Sequence, residues 1–111
     1  MTAQIVLGRL AFSGFDWDGG NREKCRRHGL EEEAIERVFA NAPRVYEDPV
    51  HSSEEARFQA VGWGPGDRPV FVAFTLRERQ GLTLVRPISA RYMHKRELLS
   101  YEEAAADLQQ R

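Results

Sequence analysis

At Asn41-Ala42-Pro43 the apolar rhythm of the chain changes, and that change restricts the fold more than any other feature. Before it, Ala34, Ile35, Val38 and Phe39 recur at i, i+1, i+4 and i+5, the stripe of an amphipathic helix over residues 32–40. After it, apolar residues alternate or run together in short segments bounded by turn residues, which is strand behaviour. Residues 44–47 read as a short strand ended by Asp48-Pro49, and residues 57–63 as a second. The turn signal Gly64-Pro65-Gly66-Asp67 leads into residues 69–76, whose core VFVAFTL is nearly all apolar, as in a central strand covered on both faces. Residues 77–81 turn the chain and residues 82–91 return, so three runs with tight links make an antiparallel meander. Pro87 lies inside the last run and cannot donate a ladder bond, which marks a bulge or an edge-facing position.

The rest of the chain reads as helix and lead-in. Residues 1–14 are a lead-in, irregular or with one strand around residues 5–12, and Phe15-Asp16-Trp17-Asp18 alternates as a short half-buried strand. Gly19-Gly20 breaks it, and Asn21 is the expected N-cap of a helix running to His28, with Gly29 in the left-handed position behind it. Ser100-Tyr101-Glu102-Glu103 matches a capping box that opens a final helix through Leu108. With 111 residues the chain makes a single domain with one modest core. The expected class is α+β, with N-terminal helices packed on the antiparallel meander and helical turns at the C-terminal end.

Composition excludes several function classes. No apolar run approaches the roughly 18 residues that cross a bilayer. The first residues show no basic region and no small-residue cleavage site, so no signal peptide is expected. The single Cys25 rules out an intramolecular disulfide framework and fits a reducing cytosol. His28, His51 and His94 lie far apart with no paired cysteine or HExxH spacing, and Gly64-x-Gly66 lacks a nucleotide-loop context, so neither metal nor cofactor is expected. The formal charge of −1 hides a segregation: residues 57–97 hold eight basic residues against three acids, and the remainder eight against fourteen. A cationic half is compatible with an anionic partner such as RNA, and equally with solvated strand faces.

An ordered series of short motifs adds to this. Phe15-Asp16-Trp17-Asp18 is followed by Arg27-His28-Gly29 leading into Glu32-Glu33-Ala34. Then come Asp48-Pro49-x-His51-Ser52-x-x-Glu55-x-Arg57-Phe58, Gly62, Ile88-Ser89-Ala90-Arg91 with Arg96-Glu97, and Tyr101-Glu102. Over about residues 15–103 this series resembles the BrnT family of toxins, the ribonuclease halves of bacterial type II toxin–antitoxin pairs. The resemblance implies a RelE-like fold and a cytoplasmic endoribonuclease that inhibits translation. It also implies neutralisation by a BrnA-type antitoxin with a ribbon-helix-helix part, through which alone operator DNA is met. The chain departs from the common pattern at Gly19-Gly20-Asn21, where a lysine often follows Trp-Asp, and at Lys24, where asparagine is frequent. Glu31 replaces the usual serine cap of the second helix, and residues 1–13 are a longer lead-in. These departures bear on the N-terminal contribution to a site more than on the fold.

Metal-free RNA cleavage uses the ribose 2′-hydroxyl as nucleophile. The protein then has to move protons and stabilise a phosphorane. Arg57 and Arg91 are the first candidates for the charge, because a guanidinium pairs bidentately with phosphate oxygens. Arg91 closes one strand and Arg57 opens another of the same meander, so the two are expected to meet at one sheet end. Each also reads as half of a surface ion pair with Glu55 or Glu97. His51 is the acid–base candidate, or else a loop histidine bonded to Asp48 or Glu55. Glu55 is a general base or the carboxylate that holds Arg57. His94, Lys95 and Arg96 either grip flanking phosphates or form a solvated helix face. Tyr92 stacks a base or packs, and Lys24 and Arg27, three apart on one helix face, extend the basic surface. The competing readings are an inactive member that only binds RNA or antitoxin, and a regulatory partner whose basic face receives an acidic peptide.

Overall fold

Alternating strands need neighbours for their backbone groups, and in the computed structural model, which describes residues 6–7 and 11–109, they find them in one mixed sheet. The strands are β1 (Val6–Leu7), β2 (Gly14–Phe15), β3 (Arg44–Glu47), β4 (Arg57–Trp63), β5 (Pro69–Arg79) and β6 (Leu82–Tyr92). Their order is β1-β3-β4-β5-β6-β2. Every pairing is antiparallel except β2 with β6, a parallel edge that the sequence did not announce. The helices are α1 (Gly19–Arg26), α2 (Glu32–Ala40) and α3 (Lys95–Gln109), and short 3-10 turns stand at Pro49–His51 and Pro65–Asp67. The class is α+β, as expected. The possible strand around residues 5–12 is seen only as Val6–Leu7; residues 5 and 8–10 lie outside the described residues.

Helices α1 and α2 cover one face of the sheet. From α2, Ile35 and Val38 are fully buried, each contributing about 1.5–3 kcal/mol relative to exposure. They join Val70, Val72, Phe74 and Val85, and Phe39 packs edge-on against Phe74 at 5.2 Å between centroids. Gly62 is where β4 passes beneath the end of α2: a Cβ there would meet Pro43 at 3.0 Å and Val38 at 3.3 Å. Glu31 gives α2 no side-chain cap. Arg22 to Glu32 at 2.7 Å and Arg26 to Glu31 at 3.0 Å tie α1 to α2 instead.

Three local expectations are corrected. Gly19-Gly20 does not separate a strand from a helix; it is the first turn of α1, because Asp18 is the N-cap and Asn21 completes a capping box with it. Asn21 Oδ1 accepts from Asp18 N at 2.7 Å, and its Nδ2 donates to the carbonyls of Asp16 and Pro87 at 3.0 and 2.8 Å. This buried asparagine therefore pins α1 to β6 at the register shift where Pro87 pairs with Phe74 and Ser89 with Ala73. Strand β5 does not stop near Leu76 but runs to Arg79, and Gln80-Gly81, both with positive φ, form the two-residue turn to Leu82. Helix α3 starts at Lys95, not after Ser100: Glu97 accepts from His94 N at 3.2 Å, and the Ser100 hydroxyl bonds back to Arg96 O inside the helix.

Candidate functional site

Alternation along the strands decides which side chains share a surface. Ala60, Val72 and Phe74 face α1 and α2, whereas Val61 and Phe71 join Tyr46, Met93, Leu98 and Tyr101 beneath α3 on the other face. On that second face the register lays out rows across β4, β5 and β6. One row is Val61, Phe71 and Arg91; the next is Gln59, Ala73 and Ser89; the third is Arg57, Thr75 and Arg86. Asp48 extends the third row from the end of β3, its N–H donating to Arg57 O at 2.9 Å. Helix α3 packs on the first row and reaches the second through Tyr101 Oη, 3.2 Å from Gln59 Oε1.

The end of the third row carries a histidine–carboxylate pair. His51 Nδ1 lies 3.0 and 3.2 Å from the two carboxylate oxygens of Asp48. Asp48 is 8% exposed, yet burial, which would push its carboxyl upward, is outweighed by hydrogen bonds from His51 and Gln59 that hold it below its ordinary value. Backbone bonds lock the segment to β4. The Ser52 hydroxyl donates to Asp48 O at 2.6 Å and accepts from Arg57 N at 2.8 Å. With Nδ1 on the carboxylate, the exposed His51 ring is left with Nε2 for another partner.

Arg57 has no ion pair or side-chain hydrogen bond among the described residues. Glu55, expected to hold Arg57 or to act as a base, is paired with Arg77 at 2.8 Å, because Arg77 lies two residues beyond Thr75 on the same face of β5. Arg86 is held by Asp18 at 2.8 Å and Asp16 at 3.7 Å, and Arg79 also reaches Asp16 at 3.2 Å. Thr75, between Arg57 and Arg86, is 1% exposed, and its hydroxyl has no hydrogen-bond partner among the described residues.

The expected meeting of Arg57 and Arg91 does not occur. Arg91 pairs with Phe71 while Arg57 pairs with Thr75, a separation of roughly 13 Å along the strands and roughly 10 Å across them. Arg91 is instead committed to Glu97, with contacts of 3.0 Å at both guanidinium nitrogens, and lies over the Phe71 ring at 5.0 Å. That pair, with the His94 N–H, holds the Glu97 carboxyl below its ordinary value. His94, Lys95 and Arg96 line a separate cavity beside it, together with Glu97 and Ser100. Tyr92 faces the other way: its ring packs against the core under α1 and α2 and carries the Arg68 guanidinium at 3.6 Å, so it stands apart from Arg91. Lys24 lines a cavity of about 220 Å³ with Arg86, Pro87 and Ile88, and Arg27 is exposed at the end of α1.

Arg86, Thr75 and Gln59 are the residues that sequence reasoning left out of the site, whereas the bond between His51 and Asp48 is one of the two loop pairings it offered. Counting strand positions outward from the turns would have placed them, had the turn lengths been known. Among the described residues no three histidine, cysteine or acidic side chains gather closely enough to hold a metal ion. Burial pushes the Cys25 thiol up to about 11, so it is a packing residue. The family model described as ribonuclease toxin, BrnT, of type II toxin–antitoxin system matches residues 17–97. Comparison with curated proteins gives no match.

Proposed function

The chain belongs to the BrnT family of ribonuclease toxins of type II toxin–antitoxin systems, and from that premise we propose a metal-independent endoribonuclease centred on Arg57 and His51. The observation that carries this reading is Arg57, without an ion pair among the described residues, on the strand next to a histidine whose Nδ1 is already fixed by Asp48. His51 Nε2 takes the proton of a ribose 2′-hydroxyl as its oxygen bonds to the adjacent phosphorus. The P–O5′ bond breaks, and the leaving oxygen takes a proton from the imidazolium or from water. The products are a 2′,3′-cyclic phosphate and a 5′-hydroxyl. Arg57 offers a planar fork to the charge that develops on the phosphorane oxygens. Proton transfer of this kind contributes about 10²–10⁴-fold in rate, and a well-placed charge donor about 10²–10³-fold.

The wider reading follows from the same premise. As the toxin of a type II pair the chain has an antitoxin partner. We assign that partner to the BrnA type, with a ribbon-helix-helix part, and the fold to the RelE-like group. No helix among the described residues is long and apolar enough to cross a membrane, and the proposed place of action is the cytoplasm, on RNA used in translation. His94, Lys95 and Arg96, beside the Arg91–Glu97 pair, offer a second basic surface to the RNA strand flanking the cut, where Arg91 contacts phosphate once Glu97 releases it, and Lys24 offers a third contact beside Arg86. Induced expression of this chain alone is expected to arrest growth and degrade RNA, and co-expression of a cognate antitoxin to restore growth. Normal growth at full soluble expression contradicts the proposal and leaves the inactive binding module.

A further inference from the structure

A buried hydroxyl without a partner costs stability, and folded chains keep few of them without a reason. Thr75 is such a residue. It sits in the middle of the central strand β5, 1% exposed, with Oγ1 unbonded among the described residues. Valine would fill the same space at no such cost, and β5 already uses valine at positions 70 and 72. The neighbours of Thr75 are unusual for a polar group with nothing to bond. Directly across on one side is Arg57, and directly across on the other is Arg86. Opposed residues of adjacent strands hold their Cβ atoms about 4.5–5.5 Å apart, so the hydroxyl lies between the stems of two arginines.

The two arginines are not equivalent. Arg86 is fixed by Asp18 and Asp16, and only a fifth of its side chain is exposed. Arg57, directly across from Thr75, has no ion pair or side-chain hydrogen bond among the described residues, so moving its guanidinium onto a ligand breaks no such bond. We infer that Thr75 is a phosphate ligand of the RNA site, its hydroxyl donating to a non-bridging phosphate oxygen that Arg57 and Arg86 flank. The inference rests on the ribonuclease reading and deepens it. The row accepts a backbone phosphodiester, and the hydroxyl without a partner among the described residues is satisfied by the substrate. Ligand binding then removes a defect that folding alone leaves in place.

The experiment separates a neutral donor from a charge. Binding of a single-stranded 2′-O-methyl oligonucleotide, which lacks the nucleophile and is not cut, is measured as a function of salt, beside cleavage of the unmodified RNA. For Thr75→Val the melting temperature rises, the affinity falls about tenfold, and the slope of log affinity against log salt stays at the wild-type value. For Arg57→Ala the affinity also falls, but the slope drops by about 0.7, the signature of one lost phosphate contact on a single strand. Thr75→Ser restores binding. A Thr75→Val chain that is more stable and binds and cleaves like wild type overturns the inference, the hydroxyl being an internal defect only. A less stable Thr75→Val chain also overturns it, because the hydroxyl then has an internal partner. A wild-type chain that binds the oligonucleotide without cutting RNA overturns the ribonuclease reading and leaves the phosphate ligand standing.

Discussion

His51 Nδ1 stands 3.0 Å from a carboxylate oxygen of Asp48, a residue buried at the end of β3 and locked to Arg57 through the backbone. One ring nitrogen is therefore occupied and the other is committed to the outside. His51→Ala is expected to reduce cleavage by about 10²–10⁴-fold. The melting temperature falls only modestly, because the ring itself is 65% exposed and what the fold loses is its bond to the buried Asp48 carboxylate. Asp48→Asn removes the carboxylate that orients the ring and is expected to lower kcat by up to about 10⁴-fold. Single-turnover cleavage beside a thermal melt checks both.

Arg57 and Arg91 are expected to respond differently to the same truncation. Arg57→Ala removes a guanidinium with no partner among the described residues, so cleavage falls by about 10²–10³-fold while stability holds. Arg91→Ala breaks a paired but partly exposed contact to Glu97 and a cation–π approach to Phe71, so the melting temperature falls slightly. In a double-mutant cycle with Glu97→Gln, the stability loss of Arg91→Ala shrinks when Glu97 is already changed. Equal losses in the two backgrounds contradict the pairing.

Asn21→Ala is the structural counterpart. The side chain gives up its capping bonds with Asp18 and its bridges to the Asp16 and Pro87 carbonyls, one of them fully buried. The expected loss is about 2–4 kcal/mol, read from the urea midpoint. A change below about 0.5 kcal/mol would mean that α1 is held to β6 by other contacts.

Three carboxyls make stability fall on the acid side. Asp18 is held low by the Asn21 N–H and then Arg86, and Glu97 by Arg91 and then the His94 N–H. Asp48 is pushed up by burial but brought lower by His51 and Gln59. A carboxyl whose folded value is depressed contributes stability that is fully present above its unfolded value, near 4, and that is lost as pH falls through the folded value. The urea midpoint is expected to be flat, as far as these groups are concerned, from pH 7 to about 5 and to drop below about pH 4. Asp18→Asn and Glu97→Gln should each flatten that drop.

How far the fold was legible follows from particular elements. Helix α2 and strands β3 and β4 begin and end where their apolar spacing and bounding turns place them, because period and burial agree there. Gly19-Gly20 misled because glycine is a poor helix former, while the Asp18–Asn21 capping box supplied what the glycines lacked. Arg77, Glu78 and Arg79 read as a turn, yet they are the solvated end of a long ribbon closed by Gln80-Gly81. The site depended on register. The link from Trp63 to Pro69, the two-residue turn and the shift at Pro87 together put Arg86 opposite Thr75 and carry Arg91 to the far rows. None of those offsets is visible until each turn is known, so the local His51–Asp48 pair beside Arg57 was legible and the cross-strand grouping with Thr75 and Arg86 was not.

The proposed metal-independent cleavage is tested most directly by what the purified chain does to RNA in the presence of EDTA. Fragments ending in 2′,3′-cyclic phosphate and beginning with 5′-hydroxyl, lost together in His51→Ala and Arg57→Ala, are the predicted result. Intact RNA, or fragments bearing 5′-phosphate, would contradict it.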